Sequence, residues 1–484
     1  MSNIKTRFAP SPTGYMHIGN LRTALYSYLI AKSNGGTFML RIEDTDQNRF
    51  VEGAMDVIYR TLELCGLNYD EGPDKDMGNG PYIQSQRRDI YIKYAKKLVE
   101  LGHAYYCFCS KERLDGLREE LEAKGLPYEY DGHCKNLSPE EIQKKLDAGE
   151  PYVIRQIMPK EGVSEYDDAV YGKITIENST LEEQILLKSD GMPTYNFANV
   201  VDDHLMGVTH VVRGNEYITS TPKYNLLYDA FGWERPCYIH LPLITKEGGK
   251  KLSKREGDAS FEDFYNKGYL KDAIINYVAL LGWSPGGERE IYSLKELEEI
   301  FSIKGINNSP AVFDMAKFRW MNGEYIKMMA PEDFHKAALP YYEKCLTRKL
   351  DLKRISELLQ SRVEVLCEIP DYVDFFENVC DYDVSMYVHK KMKTTVESSL
   401  EALQDLIPVL ESIDDWQEEK IHSALMEHIA QKGVKNGIVL WPLRTALSGK
   451  MSTPGGAVEI AYIIGKEETL ARVNNAVNFI KASL

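Results

Sequence analysis

Two short stretches, far apart in the chain, carry side chains suited to binding a polyphosphate. The first is HIGN at 17–20, and the second is KLSKR at 251–255. Histidine, lysine and serine side chains all donate hydrogen bonds to phosphate oxygens. Taken alone, His17 could simply cap a helix, and the basic stretch could be a solvated loop. The presence of both stretches in one chain favours a shared phosphate site.

The elements around His17 place it where a strand passes into a helix. Lys5 to Ala9 reads as a short strand, and Leu21 to Lys32 reads as an amphipathic helix. The turn PSPTG lies between them. Such a turn gathers free backbone N–H groups and the positive end of the helix at one point, which suits a phosphate. Gly19 leaves room for a flat ring or a sugar against the backbone.

Charged residues follow two further predicted strands. Glu43 comes directly after the strand Thr37 to Ile42, and Arg213 comes directly after the strand Thr209 to Val212. Open α/β sheets bind ligands at the carboxyl ends of their strands, so both side chains are candidates for ligand binding. Arg213 could instead form an ordinary surface bridge with Glu216.

The acidic residues after Glu43 have a second interpretation. Asp44, Thr45 and Asp46 precede a predicted helix from about 48 to 65, and a residue of this kind commonly caps a helix. The capping interpretation applies most readily to Asp46.

Three of the eight cysteines cluster in a segment that interrupts the α/β pattern. Cys107 and Cys109 form a CxC pair, and Cys134 follows 25 positions after Cys109. With a fourth ligand from Tyr130 or His133, they could form a tetrahedral zinc site. The alternative is a set of buried thiols without metal.

Composition narrows the class of protein. The chain has 484 residues, 43% hydrophobic and 27% charged, which predicts three or four soluble domains. We expect no membrane span and no signal peptide, and the scattered cysteines favour a reducing cytoplasm. The net charge of −15 argues against indiscriminate nucleic-acid binding but not against one specific RNA.

Longer stretches of the chain resemble the bacterial glutamyl-tRNA synthetases, which are class I aminoacyl-tRNA synthetases. The stretches that carry the resemblance are RFAPSPTGYMHIGN, LRIEDTD, GPYIQSQR, PTYNFANVVDD, HVVRGNE, KLSKR, NYVALLGWSP and LRTALSGKMSTPGG. Leu252, Arg255 and Asn20 differ from the signatures of many class I enzymes, but these residues are usual in the glutamyl family.

The resemblance implies a two-step ligase reaction. L-glutamate would attack the α-phosphate of ATP to give glutamyl-adenylate and pyrophosphate, and the terminal ribose of tRNA(Glu) would then take the glutamyl group. Mg²⁺ would assist, and tRNA(Gln) is a possible second partner. A monomeric protein is expected.

The resemblance also implies roles for individual residues. The catalytic residues would be His17, Lys251, Ser253 and Lys254. ATP would contact Pro10, Ser11, Thr13, His17, Gly19, Asn20 and Lys254. Glutamate would contact Arg7, Ala9, Ser11, Glu43, Tyr195, Asn199 and Arg213. The zinc site is predicted by the residues themselves, from Cys107, Cys109 and Cys134 with Tyr130 favoured over His133, and the ion would have a structural role.

The implied fold is α/β, a doubly wound, Rossmann-type parallel sheet with an inserted α+β domain and an all-α C-terminal region. The catalytic domain would occupy 1–89 and 191–249, and an insertion at 90–190 would bind the tRNA acceptor end. Residues 250–330 would carry the KLSKR loop and contact the tRNA stem, and residues 331–484 would read the anticodon.

Four other functions could use similar motifs. A glutamyl-queuosine tRNA synthetase would lack the helical region beyond 331, and a glutaminyl enzyme would have a different N-terminal signature. A small-substrate adenylyltransferase would not require tRNA. A catalytically dead RNA-binding paralogue is disfavoured because His17, Lys251, Ser253 and Lys254 are all present.

Overall fold

The chain divides into two units in the computed structural model, which describes residues 4–46, 51–246, 248–250 and 260–484. The first unit comprises Met1–Phe264 and Ile274–Asp314, and the second comprises Tyr265–Ala273 and Met315–Leu484. In the described part of the chain, no helix is both long and apolar enough to cross a bilayer.

All the strands of the described residues belong to the first unit. They are β1 (Lys5–Phe8), β2 (Thr37–Leu40), β3 (Ala104–Cys107), β4 (Val153–Gln156), β5 (Val163–Asp168), β6 (Gly172–Glu177), β7 (Ile185–Leu187), β8 (His210–Gly214), β9 (Cys237–Leu241), β10 (Ile244–Thr245) and β11 (Ala311–Val312).

Helices connect these strands and make up most of the second unit. They are α1 (Ile18–Ser33), α2 (Ala54–Leu64), α3 (Arg88–Glu100), α4 (Lys111–Ala123), α5 (Pro139–Asp147), α6 (Tyr195–Leu205), α7 (Thr221–Phe231), α8 (Phe261–Asn266), α9 (Lys271–Leu280), α10 (Leu294–Ile300), α11 (Met315–Met328), α12 (Pro331–Tyr342), α13 (Leu352–Leu359), α14 (Ile369–Glu377), α15 (Val396–Glu411), α16 (Glu418–Lys432), α17 (Asn436–Ser448), α18 (Ala457–Ile464) and α19 (Lys466–Ser483).

Parallel strands form the centre of the first unit. β1 pairs with β2, β8 pairs with β9, and both pairs are parallel. β1 lies beside β8, where the Thr209 N–H donates to the Lys5 carbonyl at 2.9 Å. The side chains of these strands are mostly buried, as expected where helices cover a parallel sheet. This arrangement confirms the predicted α/β class with a parallel core.

The inserted segment contributes to two sheets. β3, β4 and β7 form an antiparallel sheet within it. The hairpin β5–β6 instead joins the β8–β9 pair, because Asp168 at the end of β5 pairs in parallel with Tyr238 of β9. The insertion therefore extends the sheet that carries Arg213.

The predicted helix from about 48 to 65 starts too early. α2 begins at Ala54, after Gly53, which has a φ of 79°. Few residues other than glycine adopt this conformation, and residues 51–53 are not helical. Asp46 and Thr45 consequently lie too far from α2 to cap it, and the capping interpretation is wrong.

The second unit is helical, which confirms the predicted all-α C-terminal region. Its core is a cluster of fully buried apolar side chains that includes Phe334, Tyr342, Leu403 and Leu443. Arg472 is buried beside this core and donates to the carbonyls of Phe375 and Leu447, both at 2.7 Å.

Candidate active site

A cavity of about 540 Å³ opens at the carboxyl ends of β1 and β2. Its lining residues come from the loops after these strands, from the segment between β7 and the start of α6, and from the turn after β8. They are Ser11, Pro12, Thr13, Glu43, Asp44, Thr45, Asp46, Lys188, Pro193, Thr194, Tyr195 and Tyr217. Four residues predicted from the sequence to bind substrates therefore meet in one cavity: Ser11, Thr13, Glu43 and Tyr195.

His17 caps α1 and is also oriented for a second task. Its Nδ1 accepts a hydrogen bond from the Gly19 N–H at 3.0 Å. In the neutral ring this leaves the proton on Nε2, so Nε2–H is a donor. A Cβ at position 19 would lie 3.3 Å from Nδ1, tighter than most such contacts, so a side chain there would require the His17 ring to shift by a few tenths of an ångström. The capping interpretation and the phosphate interpretation of His17 are compatible.

The segment that carries the second signature ends beside the first. Ser260 forms an antiparallel bridge with His17, and the Phe261 N–H donates to the Met16 carbonyl at 3.0 Å. The predicted catalytic residues Lys251, Ser253 and Lys254 lie outside the described residues.

Arg7 and Glu43 belong to a buried chain of ion pairs. The Arg7 Nε lies 3.1 Å from Asp203 Oδ1. Arg41 Nη2 lies 2.8 Å from the same oxygen and 2.9 Å from Glu43 Oε1. All four side chains are at most 4% exposed. The chain of charges holds Arg7 and Glu43 in fixed positions, because a buried charge stays paired.

Sequence reasoning missed Arg41 and Asp203. The available signal was the acidic pair Asp202-Asp203 within α6, where both carboxylates are buried. Asp202 accepts from Arg87 Nε at 2.7 Å, from the Tyr91 hydroxyl at 2.7 Å and from Gln84 Nε2 at 2.9 Å. It thereby ties α6 to the segment around 84–91.

Burial and charge act in opposite directions on the carboxylates. Burial raises the pKa of Asp203, but Arg7 and Arg41 outweigh it and leave that pKa below its usual range. At Glu43 the effect of burial on the pKa is larger than the opposing effect of Arg41 and Arg7, so the pKa is raised. Desolvation, with Glu43 nearby, also raises the pKa of Tyr195 well above its ordinary value, so the phenol stays a neutral donor.

Arg213 is buried among neutral groups. Its Nε donates to His240 Nε2 at 3.1 Å, and its Nη2 donates to Thr221 Oγ1 at 2.8 Å. The aromatic rings of Tyr217, Tyr224 and Tyr238 lie 4.6–5.3 Å from the guanidinium carbon. Among the described residues it forms no salt bridge, so the suggested pairing with Glu216 is not found.

The remaining predicted residues are not among those that line the cavity. The Pro10 carbonyl accepts from the Glu43 N–H at 3.0 Å and ties the two strand ends together. Asn199 is buried in α6, one turn after Tyr195, and its Nδ2 donates to the Tyr195 carbonyl at 2.9 Å. Ala9 is half-buried, and Asn20 is exposed on the first turn of α1.

The three clustered cysteines come together as predicted. The Sγ atoms of Cys107, Cys109 and Cys134 lie within 4.8 Å of one another. The Tyr130 hydroxyl lies 3.3 Å from the sulfurs of Cys107 and Cys109. His133 is exposed and does not belong to this group. The structure therefore favours Tyr130 as the fourth side chain.

Comparison with known proteins gives the family. The family model described as "tRNA synthetases class I (E and Q), catalytic domain" matches residues 3–320, and the model "Anticodon binding domain" matches residues 333–477. The chain belongs to the class I tRNA synthetases for glutamate and glutamine.

The relatives are more specific than the family model. The glutamate–tRNA ligase of Clostridium botulinum strain Hall is 61% identical over 481 residues, which cover 99% of each chain. That of Clostridium tetani is 61% identical over 480 residues, 99% of this chain and 98% of the relative. The crystal structure of a glutamate tRNA ligase from Elizabethkingia meningosepticum, in complex with its amino acid, superposes with a TM-score of 0.89 at 36% identity, covering 99% of this chain and all of that one. Within its family the chain thus groups with the glutamate–tRNA ligases.

Proposed function

We propose that this protein activates L-glutamate with ATP and transfers the glutamyl group to the 3′-terminal adenosine of tRNA(Glu), releasing AMP and pyrophosphate. The observation that carries the proposal is the bridge between His17 and Ser260. It brings the helix-start signature next to the end of the segment that contains KLSKR. Lys254 precedes Ser260 by six residues, and a chain of that length spans at most roughly 20 Å.

The first step requires cations around the α-phosphate and no protein nucleophile. His17 would donate from Nε2 to an α-phosphate oxygen, since its Nδ1 is engaged by the Gly19 N–H. Lys254 would share this stabilisation, and Lys251 and Ser253 would hold the pyrophosphate. Mg²⁺ supplies further charge neutralisation when it is bound with ATP. Pro10, Ser11, Thr13, Gly19 and Asn20 would form the rest of the nucleotide site.

Glutamate presents two carboxylates and one ammonium group. Arg213 is a buried cation held by neutral partners, which suits it to one carboxylate. Arg7 and the neutral Tyr195 hydroxyl would bind the side-chain carboxylate. Glu43 would bind the ammonium group, since Arg41 fixes it beside the cavity. Ala9, Ser11 and Asn199 would complete this pocket.

The second unit contains a cavity suited to a base. About 480 Å³ in volume, it lies between α13, α17 and the loop before α18, and its lining includes Arg362, Arg444 and Thr453. Arg444 stacks over the Trp441 ring at 4.5 Å. Splayed anticodon bases are recognised by stacking and by hydrogen bonds to their edges. We assign this cavity to an anticodon base, consistent with the predicted role of 331–484.

The cysteine cluster fits zinc. A tetrahedral ion with Zn–S bonds of about 2.3 Å separates its sulfur ligands by roughly 3.8 Å, and Cys109 Sγ and Cys134 Sγ lie 3.6 Å apart. Cys107, Cys109, Tyr130 and Cys134 would hold the ion, which would stabilise the insertion and take no part in the chemistry. The insertion at 90–190 would bind the tRNA acceptor end, and 250–330 would contact the stem.

Two assays test this function. ATP–pyrophosphate exchange with glutamate should depend on added tRNA(Glu), whereas exchange without tRNA would indicate a small-substrate adenylyltransferase. Aminoacylation of purified tRNA(Glu) and tRNA(Gln), tested separately, decides whether tRNA(Gln) is a second substrate. No charging of tRNA(Glu) by glutamate would refute the proposal. A cytoplasmic location and a monomeric state stay predictions.

A further inference from the structure

Arg213 faces a histidine on the neighbouring strand. β8 and β9 run in parallel, and their register pairs Arg213 with His240. Paired residues on neighbouring strands point their side chains to the same face of the sheet. The contact therefore follows from the register of two central strands, and the rotamer of an exposed side chain plays no part in it.

The hydrogen bonds around His240 determine where its proton lies. Arg213 has only donors, so His240 Nε2 must accept from it through a lone pair. The proton of the neutral ring is then on Nδ1, which lies 2.6 Å from Asp168 Oδ2. The other Asp168 oxygen accepts the N–H groups of Val170 and Tyr171, both at 2.9 Å. The side chains of Asp168 and His240 are fully buried.

This arrangement separates a carboxylate from Arg213 by one imidazole ring. Asp168 does not touch the guanidinium, and the carboxylate whose charge raises the pKa of Arg213 against burial is that of Asp203. Arg7 differs, because it contacts the Asp203 carboxylate directly. The outer edge of Arg213 consequently keeps its attraction for a carboxylate that arrives with the substrate.

We propose that Asp168 and His240 are positioning residues, which fix the guanidinium of Arg213 for one carboxylate of the amino-acid substrate. The inference rests on the proposed function and deepens it. His240 does not touch the substrate. It acts by accepting from Arg213 Nε, which sets the plane and direction of the guanidinium.

The test compares two substitutions of His240. His240→Gln keeps an acceptor near the position of Nε2, whereas His240→Leu removes it. We expect His240→Leu to raise the KM for glutamate roughly 10- to 100-fold, because a misplaced guanidinium would lose one charged hydrogen bond to the substrate carboxylate. The kcat and the KM for ATP should stay within about threefold of wild type, because only the ground-state binding of glutamate is weakened. His240→Gln should recover most of the affinity.

A matched control lies on the same sheet. His210 is at the opposite end of β8 and contacts Thr209 Oγ1, so His210→Leu should leave the KM for glutamate unchanged. If His240→Leu and His240→Gln behave alike, or if both lower kcat and raise the KM for ATP together, the positioning role is refuted. Asp168→Asn, which keeps the shape of the turn, should raise the KM for glutamate in the same direction.

A readout without catalysis separates this inference from the proposed function. In wild-type protein labelled with ¹⁵N-histidine, the NMR signals of His240 are the ones that are absent from the spectrum of His240→Gln. These signals should show a protonated Nδ1 and an unprotonated Nε2. The opposite tautomer, or a charged ring at neutral pH, would overturn the inference. Wild-type protein that fails to charge tRNA(Glu) would overturn the proposed function while this tautomer result still stood.

Discussion

Replacement of Arg7 by leucine should destabilise the protein before any substrate binds. Arg7 contacts Asp203 at 3.1 Å, and both side chains are at most 4% exposed. Breaking a buried ion pair costs about 3–5 kcal/mol, because the remaining charge has lost its partner. Asp203 would retain Arg41 at 2.8 Å, so we expect the lower end, a fall of about 3 kcal/mol in the free energy of unfolding.

The measurement is urea unfolding of the free protein, followed by a probe of the first unit. The double variant Arg7→Leu/Asp203→Leu should lose less than the sum of the two single variants, since the pair is then removed together. Lys32→Ala is the control. Its pair with Asp70 is partly exposed, so the change should cost less than about 1 kcal/mol.

Steady-state kinetics give a second measurement on the Arg7→Leu variant. If Arg7 also binds the side-chain carboxylate, kcat/KM for glutamate should fall at least roughly 100-fold at a temperature where the variant remains folded. A loss of stability below about 1 kcal/mol would show that the pair with Asp203 is not the stabilising contact described above. Near-normal kcat/KM would remove Arg7 from the glutamate site.

Three further changes test other parts of the molecule. Tyr130→Phe should lower zinc affinity while the three cysteines still bind some metal, and retention of full zinc content through dialysis against a chelator would argue against a phenolate ligand. Arg444→Ala should raise the KM for tRNA(Glu) roughly tenfold, the loss of a stacking contact, with the KM for ATP unchanged. The Arg348 side chain, hydrogen-bonded to Glu468, lowers the pKa of that carboxylate to about 2. Its stabilisation is present above the ordinary pKa of 4.5 and is lost as the pH falls toward 2, so Glu468→Gln should remove this part of the acid sensitivity of the second unit.

Much of the candidate site is visible in the sequence because it depends on local pattern. A strand that precedes Glu43, another that precedes Arg213 and a helix that starts after His17 are short-range signals. In the structure β2 ends at Leu40, a few residues before Glu43, β8 contains Arg213 and ends at Gly214, and α1 starts at Ile18. The CxC pair with Cys134 likewise predicts a cluster, because two thiols at that spacing point to one place. Hydrophobic periodicity also predicts the helical second unit.

Local sequence patterns fail to predict the end of an element where the backbone conformation of a single residue determines it. The helix α2 starts directly after Gly53, which has a positive φ. The hydrophobic pattern of the sequence does not predict this backbone conformation. The contacts of Arg7, Arg41 and Asp203 are hidden for another reason. Their partners are far apart in the chain, and each carboxylate looks like a surface charge until the sheet buries it.

The amino-acid sequence by itself determined which residue types stand at the ends of the strands and what chemistry they can do. Only the tertiary structure decided which of these charges contact a buried charge of opposite sign and which are held by neutral groups. Arg7 and Arg213 look equivalent in the sequence, yet one contacts a carboxylate and the other a neutral imidazole. The register of β8 and β9 brings His240 to Arg213, and the packing of α6 brings Asp203 to Arg7. Both depend on burying the whole sheet at once and on no single stretch of chain.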